Sequence, residues 1–304
     1  MYMEVSDHES ARIPMLRSRR ILRDSDVPIS VMITDQADVG MHRHDFTEIV
    51  VVLGGVGDHL LDDDRFPIST GDVLAIDQNH VHGYRNARGL RIANLLFNEQ
   101  FVAGREPTLA RLPGYQALVH LEPNARTRLS FGGKLTLDTG SRIRIEERIH
   151  ELRDELDQKA EGYQALSLSI LVDIIVHLCR LYGRSASDPQ RNLRDMGAVV
   201  GYLESNYPRQ IEIKDLEPLV VMSARTLMRR FSEATGTTPM QYLLRVRVTR
   251  AAHLLRTTRA PMTDIAAEVG FSDSNYFSRQ FHRIIGVSPT AYRRSPEAAA
   301  AANR

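Results

Sequence analysis

Two kinds of hydrophobic spacing divide this chain. From residue 31 to 97 the apolar residues alternate with polar ones or gather in short β-branched runs, as in "EIVVVLGGVGDHLLDDDRFPISTGDVLAIDQNH", with Gly, Asp and Asn between the runs. That pattern predicts many short strands joined by turns, and so a barrel or jelly roll. Beyond residue 140 the spacing changes to three and four. "SRIRIEERIHELRDELDQ" from Ser141 and "YQALSLSILVDIIVHLCRLYG" from Tyr163 predict helices. In the second, Leu166, Ile170, Ile174, Leu178 and Leu181 make one apolar stripe, which Leu171 and Ile175 widen. The polar segment "GRSASDPQRN", 183–192, predicts an interdomain linker.

The helical spacing after that linker contains a repeat. Phe231, Gly236, Pro239 and Tyr242 lie fifty positions before Phe281, Gly286, Pro289 and Tyr292, and Leu227 and Arg229 likewise precede Phe277 and Arg279. In the first copy Ser223 is placed to cap a helix whose inner face carries Leu227 and Phe231. Gly236 stops it, and Thr238-Pro239 starts another. In the second copy Ser272 or Asp273 is the cap, Phe277 and Phe281 point inward, Gly286 stops the helix, and Ser288-Pro289 restarts. A short helix precedes each copy, at Ile213 to Val220 and at Met262 to Glu268. Helix, tight turn and second helix with a polar outer face is the helix-turn-helix layout, whose second helix enters the DNA major groove. The outer faces offer Arg225, Met228 and Arg229 in the first copy, and Asp273, Asn275, Ser278 and Arg279 in the second. Arginine can bridge the O6 and N7 of guanine, and asparagine the N6 and N7 of adenine.

Charge sharpens this division. The whole chain carries a formal net charge of +1, but residues 209 to 294 hold 14 Lys+Arg against 7 Asp+Glu, a local +7 that leaves −6 for the rest. The asymmetry points to a polyanion-binding module attached to a second kind of domain. Cys179 is the single cysteine and lies within an apolar helical run, which excludes a disulfide framework and a cysteine zinc site. Asp173 and His177 interrupt the longest apolar stretch, and the amino terminus lacks a signal-peptide layout. The expectation is a cytoplasmic protein with no membrane association.

From about residue 195 to 294 the sequence resembles the AraC/XylS transcription regulators. The residues that carry the resemblance are "ARTLMRRFSEATGTTPMQYLLRVRVTRAAHLL" and "MTDIAAEVGFSDSNYFSRQFHRIIGVSPTAYRR", the second close to the family signature. Within the family, "RVRVTRAAHLL", "TDIA" and "GFSDSN" are similar to the activators of rhamnose catabolism. The resemblance implies two helix-turn-helix units joined by a connecting helix, about Met240 to Arg256, that read adjacent major-groove segments of double-stranded DNA. It also implies an activator that engages RNA polymerase, with Arg225, Arg229, Asp273 and Asn275 at base-contacting positions. Two departures stand out. Glu217 and Pro218 replace the usual small apolar residues before the first turn, and Met228 replaces a position that is more often polar.

The strand-rich half contains "HRHDFTE", which supplies His42, His44 and Glu48, and "TGDVLAIDQNHVHGYRN", which supplies His82. This is similar to the two cupin motifs, whose matching residues would hold a metal through His42, His44, Glu48 and His82. Asp77-Gln78-Asn79 stands where Pro-x-Gly is usual, and sensory cupins of this family keep such histidines without metal. Three readings stay open: a metal centre, a small-molecule pocket, or structural histidines. The expectation carried forward is a pocket without metal or other cofactor, lined by His42, Arg43, His44, His80, His82, Tyr84 and Asn94, for an effector that the resemblance makes a sugar. A metal-dependent cupin enzyme or metal sensor fused to a DNA-binding domain is the alternative.

The expected fold is thus multidomain β plus α: a cupin-like β-barrel (jelly roll) with following helices, then an all-α double helix-turn-helix. Residues 1–30 are an arm, 31–140 the sensing barrel, 141–182 a helical dimerisation region, 183–192 the linker, 193–294 the DNA-binding domain and 295–304 a disordered tail. A homodimer is expected through Ile143, Ile149, Leu152 and Leu156, on the helix that resembles the family's dimerisation region. The protein is expected not to be an enzyme.

Overall fold

A computed structural model of the protein describes residues 13–22, 24, 26–78, 80–129, 134–184 and 188–294. The expected disordered tail, 295–304, and the first twelve residues of the arm lie outside the described residues. The chain divides into two compact units, Met1–Gly197 and Ala198–Arg304.

The first unit is built on an eight-stranded mixed sheet: β1 (Met15–Leu16), β2 (Ile29–Asp35), β3 (Val39–His44), β4 (Thr47–Leu61), β5 (Asp64–Ser69), β6 (Asp72–Ile76), β7 (His82–Phe97) and β8 (Leu135–Thr136). Strands β4 and β7 pair along most of their length, and each is long enough to serve both halves of the sheet. β6 pairs with the start of β4 and β5 with its end, while β2 and β3 divide β7 between them. Three register shifts interrupt the β4–β7 ladder between Val52 and Asp58. Such bulges bend a strand, and here they let one ribbon fold back on itself. Gly55 makes the bend possible: its φ is +75°, and a Cβ there would lie 2.1 Å from the Gly89 carbonyl oxygen. Val50, Val52, Leu61, Ile68, Leu74, Ile76, Tyr84, Leu90 and Ile92, drawn from both halves, form one enclosed cluster, the core of the expected barrel. "EIVVVL" is apolar at every position after Glu48 because both of its faces are buried.

Short helices α1 (Ser18–Ile21) and α2 (Glu99–Arg105) flank the sheet. A helical run then passes from α3 (Pro113–Tyr115) through a wide π-type segment, Gln116–Leu121, into α4 (Glu122–Leu129). Helices α5 (Thr139–Gln158) and α6 (Tyr163–Arg184) form a hairpin, with α5 against β2 and α6 against α3. Helix α6 is long and apolar enough to cross a membrane, yet Ile170, Leu171, Ile174, Ile175, Leu178, Cys179 and Tyr182 bury its stripe inside the unit. The expected dimer stripe on α5 is corrected in the same way. Ile149 and Leu152 are fully buried within the subunit, and Ile143 is the apolar residue of that set which stays exposed.

Two further expectations change. The arm is not free of structure over its described part: β1 lies parallel to β3, with Met15 opposite Arg43 and Leu16 opposite His44. Nor are residues 188–192 a loose linker, because α7 (Asp188–Asn206) begins at Asp188. The helix pattern overrode the local Pro189, which sits in the first turn where a missing N–H costs no hydrogen bond.

Asp24 fastens the latter part of the arm to the α5–α6 turn, accepting hydrogen bonds from Lys159 Nζ (2.6 Å) and the Tyr163 hydroxyl (2.9 Å). These bonds, Lys159 first, lower its pKa from 3.8 to about 2. A depressed carboxylate contributes stability that is full above its unfolded pKa and lost as pH falls through the folded one. We therefore expect amide exchange in residues 26–30 to rise between pH 4 and pH 2, and Asp24→Asn to show that faster exchange already at pH 7. The site is near the surface, so the expected change is at most about 1 kcal/mol.

The second unit begins in the latter half of α7 and continues with α8 (Ile213–Leu216), α9 (Ala224–Thr235), α10 (Pro239–Thr257), α11 (Met262–Glu268), α12 (Ser274–Ile285) and α13 (Pro289–Arg294). The repeated residues perform the same tasks twice. Ser223 caps α9 through Thr226 N, and Asp273 caps α12 through Asn275 N. Gly236 and Gly286 end those helices with φ of +72° and +87°. Phe231 meets Tyr242 at 5.7 Å between ring centroids and Phe281 meets Tyr292 at 5.5 Å, both edge to face. The repeated skeleton is thus a set of caps, stops and one aromatic pair per copy. Glu217, unusual at its position, accepts a hydrogen bond from Ala224 N and so helps to cap α9.

Candidate functional site

The residues expected to read DNA lie where the helical spacing places them. Arg225, Met228 and Arg229 are exposed on α9, while Leu227 and Phe231 are buried behind them. On α12, Asn275, Ser278 and Arg279 are exposed, with Phe277 and Phe281 buried. Asp273 is exposed as the N-cap, so one of its carboxylate oxygens is held by Asn275 N at 2.7 Å. The Ser278 hydroxyl donates to the Ser274 carbonyl at 2.9 Å, which leaves it to act as an acceptor toward a ligand. Arg229 pairs with Glu233 at 2.7 Å, one turn along the same helix. The outer face of α12 holds one residue that the sequence reading omitted. Tyr276 is 43% exposed, and the Arg279 guanidinium carbon lies 5.9 Å from its ring centroid. Its place three residues before Arg279 was the available signal.

In the first unit, strand alternation sorts the expected pocket residues. His44, Glu48, His82 and Tyr84 are buried within the rolled sheet, whereas Arg43, between two inward histidines, is exposed. Arg43 is therefore not a pocket residue, since neighbouring strand positions face opposite sides. His80 is buried but engaged, with Nδ1 2.7 Å from Asp62 Oδ2. His42 is partly exposed; its Nδ1 lies 3.0 Å from the Gly40 carbonyl and its ring 4.2 Å from that of His82. Asn94 faces the same interior with an Oδ1 that has no hydrogen-bond partner.

Three donor atoms converge in this interior. Glu48 Oε2 is 3.2 Å from His44 Nε2 and 3.5 Å from His82 Nε2. The ligand atoms of His44, Glu48 and His82 all lie within 4.8 Å of one another, and both Nε2 atoms lack a hydrogen-bond partner. The donor set fits a divalent metal of the kind that imidazole and carboxylate hold, with three of the four expected residues brought together.

His59 was missed by the sequence reading. It is fully buried on β4, opposite Tyr84 on β7, with Nε2 3.4 Å from His82 Nδ1. Nothing in "GDHLL" marked it, because its importance comes from the strand across from it. Burial first, then the Arg126 charge, lowers the His59 pKa well below the ordinary value; burial likewise lowers that of His82. Both rings are therefore neutral near pH 7. Arg126, on α4, is 1% exposed and pairs with buried Glu122 through Nε and Nη2, while its Nη1 has no partner. The hydroxyls of Tyr84 and Tyr182 are buried and unpartnered too.

Comparison with known proteins matches residues 32–171 to the AraC-like ligand binding domain and residues 219–295 to a helix-turn-helix domain. The chain is 31% identical to the HTH-type transcriptional activator RhaR of Pectobacterium carotovorum over 83% of its own length and 85% of that protein's. It is 30% identical to the HTH-type transcriptional activator RhaS of Shigella boydii, over 84% of this chain and 87% of that one. Among solved structures, the DNA-binding domain of AdpA in complex with a target DNA is 32% identical, covering 34% of this chain and 95% of that one, with a TM-score of 0.33.

Proposed function

Since the chain belongs to the AraC-type helix-turn-helix transcription regulators, with an AraC-like ligand-binding domain ahead of the DNA-binding one, we propose that it activates genes for the catabolism of a rhamnose-like sugar in response to that sugar. The observation that carries this reading is the pairing of two similarly built recognition helices with a separate domain whose interior holds unpartnered polar atoms. Tyr84 Oη, Asn94 Oδ1, His59 Nδ1, Arg126 Nη1 and Tyr182 Oη offer donors and acceptors that no described residue satisfies. Buried polar groups without partners are costly, and a polyhydroxy effector supplies both kinds of partner. The relatives' role as activators supports contact with RNA polymerase and a cytoplasmic, non-enzymatic protein.

A homodimer fits the outer groove of the α5–α6 hairpin. Arg144, His177, Arg180 and Arg184 line one end, and Glu151, Asp154 and Glu155 the other. A second copy laid antiparallel sets each basic end on an acidic one. The expected result is a dimer by analytical ultracentrifugation that weakens as salt is raised.

The test of function is a DNA-binding titration with the promoter region beside the gene, with and without L-rhamnose and a panel of monosaccharides. Tighter binding or a raised melting temperature with one sugar is expected. Arg229→Ala and Asn275→Ala should each cost about 1–3 kcal/mol at the native site and relax preference at one base pair. Equal weakening on all DNA sequences would falsify the base-reading role of these two residues.

A further inference from the structure

We propose that Arg247 is a positioning residue that sets the spacing between the two DNA-reading units, and so determines which separation of their two sub-sites in DNA the protein accepts. Arg247 stands on α10, the helix that joins the two copies of the repeat. Its Nε donates to the Tyr207 carbonyl at 2.8 Å and its Nη2 to the Arg209 carbonyl at 2.6 Å. Both carbonyls belong to the short segment between α7 and α8, immediately ahead of the first helix-turn-helix. The same segment also meets the turn of the second helix-turn-helix. Gln210 Nε2 donates to the Gly270 carbonyl at 3.2 Å. Gly270 has a φ of +92°, and a Cβ there would lie 2.7 Å from the Tyr207 carbonyl oxygen, 2.8 Å from that of Pro208 and 2.9 Å from Arg247 Nε. The lead-in of one unit, the turn of the other and the helix that connects them thus meet at one point, inside the compact unit Ala198–Arg304.

An arginine suits this point for a geometric reason. Its planar fork holds two carbonyls at once in fixed directions, whereas a lysine ammonium is a single point of charge on a flexible stem. The guanidinium carbon also lies 5.8 Å from the ring centroid of Phe271, the residue after Gly270, so one side chain engages both units. Neighbouring contacts stiffen the same join. Arg250 pairs with Glu204 at 3.5 Å and lies 5.8 Å from the Tyr207 ring centroid, while the Tyr242 hydroxyl donates to Glu204 at 3.1 Å. Tyr207 in turn packs on the aromatic core of the second unit. A reader with two modules gains from the second sub-site only where the join places its second helix on the groove. A stiff join therefore gives a high effective concentration at one spacing and little at others. The bases read by α9 and α12 are untouched by Arg247, because its donors are turned to the join. This inference rests on the DNA-binding part of the regulator reading and not on the identity of the effector.

The experiment uses the full-length protein, with and without L-rhamnose, and DNA that the wild type selects from a random pool. Affinity is measured on that DNA and on copies with one base pair inserted or removed between the two sub-sites. We expect the wild type to lose about tenfold or more on either altered spacing. Arg247→Met, Arg247→Lys and Gln210→Ala should bind the selected DNA less tightly, yet lose only about two- to threefold on the altered spacings, with base preference inside each sub-site unchanged. The ratio between spacings is the decisive readout, since a loss of stability or of positive charge weakens all three DNAs alike. Gln210 is exposed, so Gln210→Ala decides the matter if circular dichroism shows that the Arg247 variants fail to fold. Variants that keep the wild-type ratio overturn the proposal. So does Arg247→Lys that restores it, which would assign the effect to charge, or a wild type indifferent to spacing. A wild type that selects no DNA removes the regulator reading itself, whereas a sharp spacing preference kept by every variant removes this proposal alone.

Discussion

Phe281→Ala is expected to abolish specific DNA binding by unfolding the second helix-turn-helix unit, with a loss of about 3–5 kcal/mol. The phenyl ring is fully buried in a cluster with Phe271, Phe277, Val248, Leu255, Ile265 and Tyr292. It contacts Phe277 at 5.7 Å and Tyr292 at 5.5 Å between centroids. Removing it opens a cavity where α12 and α13 pack against α10 and α11. A unit this small has a total stability of the same order as the loss. Because Met1–Gly197 is a separate compact unit, denaturant melting followed by circular dichroism should show the sensor transition preserved and the DNA-binding transition missing. A variant that melted as the wild type and bound DNA normally would show that the aromatic cluster is not what holds α12 in place.

The second large effect is expected at the buried ion pair on α4. Arg126→Met leaves Glu122, itself fully buried, without the charged hydrogen-bond partner it has among the described residues. Breaking such a pair from one side typically costs about 3–5 kcal/mol, because the remaining charge is desolvated and uncompensated. Burial already raises the Glu122 pKa above the ordinary 4.5 even with Arg126 present. Without the arginine it rises further, and a carboxyl with a raised folded pKa favours the folded state below its unfolded pKa and destabilises it as pH increases. The variant should therefore be close to wild-type stability near pH 4 and show most of its loss of stability by pH 8. Adding Glu122→Gln should restore much of the stability at pH 8 and flatten the pH dependence, a coupling that a double-mutant cycle measures. A loss that is equal at pH 4 and pH 8 would assign the effect to packing against Phe66, over which the guanidinium lies at 5.7 Å.

What the sequence by itself determined was whatever local spacing and a repeat could carry. Caps at Ser223 and Thr238, stops at Gly236 and Gly286, and the inward pairs Leu227–Phe231 and Phe277–Phe281 all depend on residues within one or two helical turns. The helix-turn-helix face followed from them, because 3.6-residue periodicity fixes which side chains point out once the inner ones are known. On β3, alternation gave the inward His44, and the same alternation excludes Arg43, which the sequence reading had placed in the pocket.

Tertiary structure decided the rest. His59 joins His82 and Tyr84 because β4 and β7 pair in a register that three bulges set, and register is a property of two strands, not of either one. Arg126 and Glu122 reach the barrel interior only because α4 packs against β6. The α5 stripe looked free for a partner, but Ile149 and Leu152 were already committed to their own domain. An amphipathic pattern specifies that a face will be buried; only the packed chain decides against what.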